Sequence, residues 1–451
     1  MDVTLLRDDN PETLQKPKRL TNGIRSAIAN IGWLSSDRIV RLGGALLVGT
    51  VVARYLGPAQ FGLLNLALAI YMLFNTASNL GLDFLIVRDI VVDHPESHHT
   101  VLGTAFLMKV GASVLTTLFA TIFAWVTHPH QPALVVMVAL LSAAAISQGL
   151  DVIDYFFQAK MLSRHTVRPR LVSFVLVNLM RLWAVYRHAH LMTFVELAAL
   201  DILLGELALL LSYWKFPHGL PRWSFDIGRG KKLLAESWPM VVASMLVMVY
   251  MRTDQILLGY FLGDRAVGYY SAAVRLSEIW YMIPTIICTT VMPKLLTMLE
   301  GNQAGYYRRL QQLYNYFVLL SVALALLTMP ASRLLIHLVF GRAYLPAAPV
   351  LNVHVWTGVF VFIGVLGGQQ LIHEKLIVVE MQRAFLGALI NLVLNLFLIP
   401  RFGVVGSAVA TLAAQATASY ISDAFSRRTR HLFRMKTYAL SGIWILRGEF
   451  R

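Results

Sequence analysis

One cysteine, Cys288, stands in 451 residues, which excludes an intrachain disulfide and every small scaffold stapled by such bonds. Charge is scarce as well. Asp, Glu, Lys and Arg make up 14% of the chain, against about 25% in a soluble domain. Acids are scarcer than bases, 24 against 39, for a formal net charge of +15. No G-x-x-x-x-G-K-[ST] loop is present to cradle nucleotide phosphates, so ATP is not the expected drive. Nucleophile elbow and zincin motifs are missing too. His128 and His130 lack a third ligand nearby and read as solvated loop residues. The expectation is no catalytic residues, no metal and no cofactor. The first thirty residues hold no apolar stretch ahead of a small-residue cleavage site, so the first span itself is expected to target the protein.

Hydrophobic residues are abundant, at 57% of the chain, with a mean hydropathy of +0.62. That balance excludes a soluble core and leaves room for about twelve spans of roughly 20 residues each. Apolar runs of spanning length lie at 33–53, 61–81, 100–125, 133–157, 170–187 and 193–214. Six more lie at 236–261, 267–291, 312–333, 346–368, 380–399 and 404–425. Lipid leaves no partner for an open sheet edge, so all are read as helices and the chain as an all-α polytopic membrane protein. The net positive charge could suggest nucleic acid, but most basic residues punctuate apolar runs, and no nucleic-acid partner is expected.

Of the 39 Lys and Arg residues, 27 fall in the connections on one side of the alternating spans and six on the other. The basic side is expected to be cytoplasmic, with both termini there. The longest polar connection, near 215–235, splits the spans six and six. The expected divisions are a basic N-terminal segment 1–32, an N-lobe 33–214, a linker 215–235, a C-lobe 236–425 and a basic tail 426–451 at the membrane surface. Tyr55-Leu56-Gly57-Pro58-Ala59-Gln60-Phe61-Gly62 and Phe261-Leu262-Gly263-Asp264-Arg265-Ala266-Val267-Gly268 share one pattern, 206 residues apart. Six spans separate them, so the halves read as parallel repeats about an axis along the membrane normal.

Ionisable residues within spans are costly and normally face a cavity or one another. Arg38 and Arg41 share a face of the first span; Arg252 lies in the seventh and Arg275 in the eighth. Arginines at several depths suit a diphosphate, which a guanidinium grips as a fork at any accessible pH. For Arg38 the competing reading is a side chain snorkelling to lipid phosphates. Asp254, Glu278 and Glu206 are candidate coupling acids. Glu278 can instead pair along its helix with Arg275, and Glu206 has no basic partner nearby in sequence.

Ser36-Asp37-Arg38-Ile39-Val40-Arg41-Leu42, leading into Ala53-Arg54-Tyr55-Leu56-Gly57-Pro58-Ala59-Gln60-Phe61-Gly62, resembles the polysaccharide-transporter branch of the multidrug/oligosaccharidyl-lipid/polysaccharide (MOP) exporters, including Wzx-type O-antigen flippases. So do Arg252-Thr253-Asp254-Gln255-Ile256-Leu257-Leu258-Gly259 and Arg275-Leu276-Ser277-Glu278-Ile279-Trp280-Tyr281-Met282-Ile283-Pro284. The resemblance extends from about 30 to 425. It implies two six-helix lobes, MATE-like, around a cavity open alternately to each side of the inner membrane. It implies an undecaprenyl-diphosphate-linked oligosaccharide as cargo, flipped outward for O-antigen, capsule or exopolysaccharide assembly, and a proton or cation gradient as the drive. Arg38, Arg41, Arg252 and Arg275 match its basic positions as cavity residues. A polysaccharide polymerase and chain-length machinery are the expected partners. A drug or cation antiporter would rely less on arginines, and a membrane polymerase or ligase would need larger outer loops.

Overall fold

A computed structural model describes residues 16–94, 97–216, 223–299, 301–374 and 376–446, with side chains from Val40 onward except at 293, 294, 299, 377 and 446. Among these residues every regular element is helical, as a chain of apolar runs must be if its backbone groups are to pair within each segment. Helix α1 (Lys16–Ser78) is followed by α2 (Asp83–Val92), α3 (His98–Thr127) and α4 (Pro132–Ala144), which continues through a 3-10 segment, Ala145–Asp151, into α5 (Val152–Ala159). Then come α6 (Arg164–Tyr186), α7 (Leu191–Trp214), α8 (Ile227–Leu262), α9 (Asp264–Glu278), α10 (Met282–Leu299) and α11 (Gln303–Phe340). The chain ends with α12 (Ala348–His354), α13 (Thr357–His373), α14 (Ile377–Ala416), α15 (Ser422–Phe425), α16 (Arg430–Ser441) and α17 (Ile443–Leu446).

Two of these helices are hairpins. Gly57 breaks α1 with φ 70° and ψ 172°, and Leu42, Ala45 and Leu46 line the same cavity as Leu68, Ala69 and Met72 of the other arm. Gly403 breaks α14 with φ 59° and ψ −141°; across this break, a Cβ on Gly387 would meet that of Ala418 at 2.9 Å. Most apolar runs occupy one helical arm each, whereas 133–157, 267–291 and 346–368 are each divided among successive helical segments. By length and apolarity six helices qualify singly to cross a membrane, or seven if the bent pair Arg342–His354 and Thr357–His373 counts as one. The hairpins enter that count once each, as Val40–Val92 and Val378–Phe425.

The two glycine motifs meet. Gly263, with φ 80° and ψ 178°, repeats the backbone geometry of Gly57. A Cβ on Gly62 would overlap the carbonyl oxygen of Asp264, and one on Gly268 would overlap that of Pro58. Each motif therefore presents its second glycine to the residue after the other's turn glycine, the exchange that a two-fold relation produces. Around this crossing, Phe61, Val267, Tyr270, Phe340, Tyr344 and Leu351 belong to one buried cluster that joins the two halves of the chain.

The tail packs one face on the bundle. Helix α16 lays Leu432, Lys436 and Ala439 against α11 and α13, and only one face, with Arg430 and Arg434, is exposed. The cause is Asp423, fully buried beyond α14, which accepts from Lys436 Nζ at 2.8 Å and is paired with Arg383. Lys436 also donates to the Ser419 carbonyl at 2.7 Å. A buried carboxylate needs such partners. Residues 1–15, 217–222 and 447–451 of the expected segments lie outside the described residues.

Candidate functional site

Three polar cavities lie among the helices. The first, of about 410 Å³, is bounded by both arms of α1 and by α8 and α9. Arg252, Arg275 and Glu278 line it with Asn65, Gln255 and Ser271. Gly49 makes room for Arg275, since a Cβ there would overlap the guanidinium. Arg275 lies 5.2 Å from the Phe61 ring centre, and Arg252 Nε has no hydrogen-bond partner. Although Arg275 and Glu278 are one turn apart, no ion pair joins Glu278 to either arginine among the described residues. The expected intrahelical pair is not made, and all three charges remain turned to the cavity.

The second cavity, of about 440 Å³, lies between α8, α9, α13 and α14. Asp254, Glu278, Glu380 and Arg383 line it among Tyr250, Tyr270 and Tyr281. Glu278 thus stands in the wall between the first two cavities. Asp254 is 1% exposed. It accepts from Asn391 Nδ2 at 2.9 Å and Asn395 Nδ2 at 2.7 Å, and from the hydroxyls of Tyr270 and Thr411. Every one of these donors is neutral, so the carboxylate is solvated but its charge is not cancelled. Asn391 and Asn395 sit one turn apart within an apolar run, a spacing visible in sequence; their convergence on Asp254 from another helix is not.

The third cavity, of about 400 Å³, belongs to the N-terminal half and is lined by Arg41, Gln148, Asp151, Arg170, Asp201 and Glu206. Arg170 organises it, bonding Asp151 at 2.5 Å, Asp154 at 3.2 Å and Glu206 at 3.0 Å. Lys109, 1% exposed, reaches Asp151 at 3.2 Å. Arg181 pairs with Asp201 at 3.2 Å. Three residues find their places here. Arg170 stands at the first position of the apolar run 170–187, and α6, which starts at Arg164, carries it nearly two turns inward. Glu206, without a basic partner nearby in sequence, is paired across the bundle with Arg170 of α6. Arg41, stacked 5.3 Å from the Phe174 ring centre, faces this cavity and not the one holding Arg252 and Arg275. The side chain of Arg38 lies outside the described residues.

Contacts join the halves at both ends of the bundle. At the Gly57 end, Arg54 donates to the carbonyls of Val339, at 2.8 Å, and Leu338, while Tyr344 Oη donates to Ala53 O at 2.7 Å. At the α2 end, Arg88 pairs with Glu236 at 2.8 Å, and Arg229 pairs with Asp89 at 2.7 Å and with Asp93.

The family model described as "Polysaccharide biosynthesis protein" matches residues 27–300, more than half the chain; the chain belongs to that family. The probable flippase AglR of Haloferax volcanii is 29% identical over 186 residues, 39% of this chain and 37% of that protein. The uncharacterised membrane protein MJ1068 of Methanocaldococcus jannaschii is 26% identical over 179 residues, 38% of this chain and 34% of that one. The matches span about a third of the length of these curated relatives. A lipid II flippase, MurJ, in an inward closed conformation superposes with a TM-score of 0.68 at 12% identity, over 93% of this chain and 92% of that one. An inward-facing MATE-family multidrug transporter of the MOP superfamily gives 0.63 at 13% identity, over 92% and 98%. These likenesses show that the chain shares the fold of those two transporters.

Proposed function

We propose that this protein flips an undecaprenyl-diphosphate-linked oligosaccharide from the cytoplasmic to the outer leaflet of the inner membrane for surface polysaccharide assembly. The observation that carries the reading is the pair Arg252 and Arg275, unneutralised in a cavity between the two halves. A diphosphate leaving water loses several kcal/mol of hydration per charge, and two guanidiniums that are not already ion-paired offer charge-assisted hydrogen bonds in return. The twelve arms form two lobes, 33–214 and 236–425, joined by the linker 215–235, with both termini cytoplasmic. The ion pairs at the α2 end form the cytoplasmic gate, and the Arg54 and Tyr344 contacts form the outer one. Opening them in alternation exposes the cavity to each side while the lipid tail stays in the bilayer. Asp254, solvated by neutral donors alone, is the coupling acid, taking up a proton or cation that cancels its charge; Glu278 relays that change to the arginines. The surface glycan served is O-antigen, capsule or exopolysaccharide, made with a polymerase and chain-length machinery.

The test is made in cells lacking the protein. A complete lipid-linked oligosaccharide should accumulate on the cytoplasmic leaflet and clear when the intact gene, but not Arg275→Ala, is restored. An unchanged lipid pool with normal surface polysaccharide would overturn the reading. One observation favours a second reading. The cavity with Asp254, Glu380 and three tyrosines suits an organic cation. Efflux of cationic dyes, lost in Asp254→Asn while the glycan pool stays normal, would select a multidrug antiporter.

A further inference from the structure

The cavity between α8, α9, α13 and α14 adjoins the one that holds Arg252 and Arg275, and Met251, Val274, Glu278 and Tyr281 line both. The two differ in charge. Among the described residues, Arg383 is the only Lys or Arg in the wall of the second cavity, and it donates to Glu380 at 3.3 Å and is paired with Asp423. Asp254 and Glu278 therefore leave this wall with a surplus of negative charge. The rest of it is neutral and rich in hydrogen-bonding groups. Tyr281 Oη and Thr357 Oγ1 have no hydrogen-bond partner, and Thr357 is 2% exposed. Ser277 Oγ takes up Nδ1 of His354 at 2.6 Å, which leaves Nε2 for the cavity. Tyr250 adds an aromatic ring. The volume, about 440 Å³, falls among ordinary small-ligand pockets, about 300–1,000 Å³. A sugar ring has the complementary surface, with hydroxyls round its edge and an apolar face of C–H groups that lies on an aromatic ring. A carboxylate on that ring would meet Asp254 and Glu278 with no unengaged cation to pair with, and like charges in a site of low polarity repel strongly.

We propose that this cavity is a sugar subsite selective by charge, which takes an uncharged sugar and rejects a uronic acid. The inference rests on the flippase reading and adds to it the class of glycan carried. Arg252 and Arg275 grip the diphosphate in one cavity, and the sugar bonded to that diphosphate lies beyond Glu278 in the next. The wall that the cavities share sets the two sites side by side, as the short link between a diphosphate and its first sugar requires. Tyr250 and Tyr281 offer aromatic surface, while Thr357 and His354 offer hydrogen bonds to hydroxyls. Glu278, where the cavities meet, is the residue that refuses an anion.

Binding is measured by isothermal titration calorimetry on the full chain in phosphatidylcholine nanodiscs, with empty discs subtracted. Three probes share one short lipid: citronellyl diphosphate, citronellyl diphosphate–glucose and citronellyl diphosphate–glucuronic acid. The last two differ only at C6 of the sugar. The glucose probe should bind at least about fivefold tighter than the bare diphosphate, the worth of one net hydrogen bond. The glucuronic acid probe should bind at least about tenfold more weakly than the glucose probe. Glu278→Gln should cut that discrimination to about threefold or less, and Tyr250→Leu should remove the gain from glucose while the bare diphosphate still binds. Both main comparisons are made on wild type, so neither depends on a variant folding. Equal binding of the two sugar probes, or no gain over the bare diphosphate, would overturn the sugar subsite and leave the diphosphate site standing. Failure of all three probes to bind would overturn the flippase reading and this proposal with it. Undiminished discrimination in Glu278→Gln would overturn the role of Glu278, and a gain kept in Tyr250→Leu that of Tyr250.

Discussion

Gly62 and Gly268 occupy equivalent places in the two motifs and face each other's backbone, Gly62 against the Asp264 carbonyl and Gly268 against that of Pro58. No side chain fits at either position without moving main chain. Gly62→Ala and Gly268→Ala should each lower stability by about 1–3 kcal/mol through overpacking, read as a drop in thermal midpoint in detergent. Gly111, which has open space around it, supplies the contrast. Gly111→Ala should be neutral or stabilising by up to about 1 kcal/mol, since it trades a poor helix former for a good one.

The cavity arginines should separate transport from stability. Arg252 and Arg275 are held by no ion pair among the described residues, so Arg252→Ala and Arg275→Ala should leave insertion and folding nearly intact. For Arg275 the loss is the contact with Phe61, about 0.5–1 kcal/mol. Glycan export should nevertheless collapse in both. Export at wild-type level in both variants would remove the diphosphate role.

At the α2 end, Arg229 holds two carboxylates and is largely buried, whereas the Arg88 side chain is 41% exposed. Charge-assisted bonds of the first kind are worth about 1.5–3 kcal/mol, and an exposed pair about 0–1 kcal/mol. Arg229→Ala should therefore raise the population open at that end by about tenfold or more, and Arg88→Ala by no more than about fivefold. Spin labels on the exposed positions Val91 and Lys232 would report the distance distribution. Cys288 is buried and would compete little for label.

Lys436→Met tests the docked tail. It leaves Asp423 buried with Arg383 as its only cation, and breaking a buried pair from one side costs about 3–5 kcal/mol. The expected result is a lower thermal midpoint and proteolytic cleavage near Ser426–Thr429 that wild type resists. Equal resistance in the two proteins would mean that packing by Leu432 and Ala439 suffices.

How much of this was legible beforehand depended on whether the partners lay on one segment. Apolar runs gave the helices, because each satisfies its own backbone, and the Gly57 and Gly263 motifs marked the turns that proved to meet. Arg252, Arg275 and Glu278 could be picked out as charges in apolar surroundings, and they do share a cavity. The cage of Asp254 could not, since Tyr270, Asn391, Asn395 and Thr411 come from three other segments. The same holds for Arg170, whose three carboxylates arrive from the 3-10 segment, α5 and α7. Arg41 shows the limit from the other side: its helix position was read correctly, but which cavity it faces depends on how α1 leans on α6.

Glu278 borders two chambers at once, so the partition between them is only one side chain thick. Coulomb interaction across so short a gap of low polarity is strong. Whatever neutralises an acid in one chamber alters the potential felt by a guest in the other, with no helix needing to move. The two compartments can therefore exchange information electrically before the bundle rearranges.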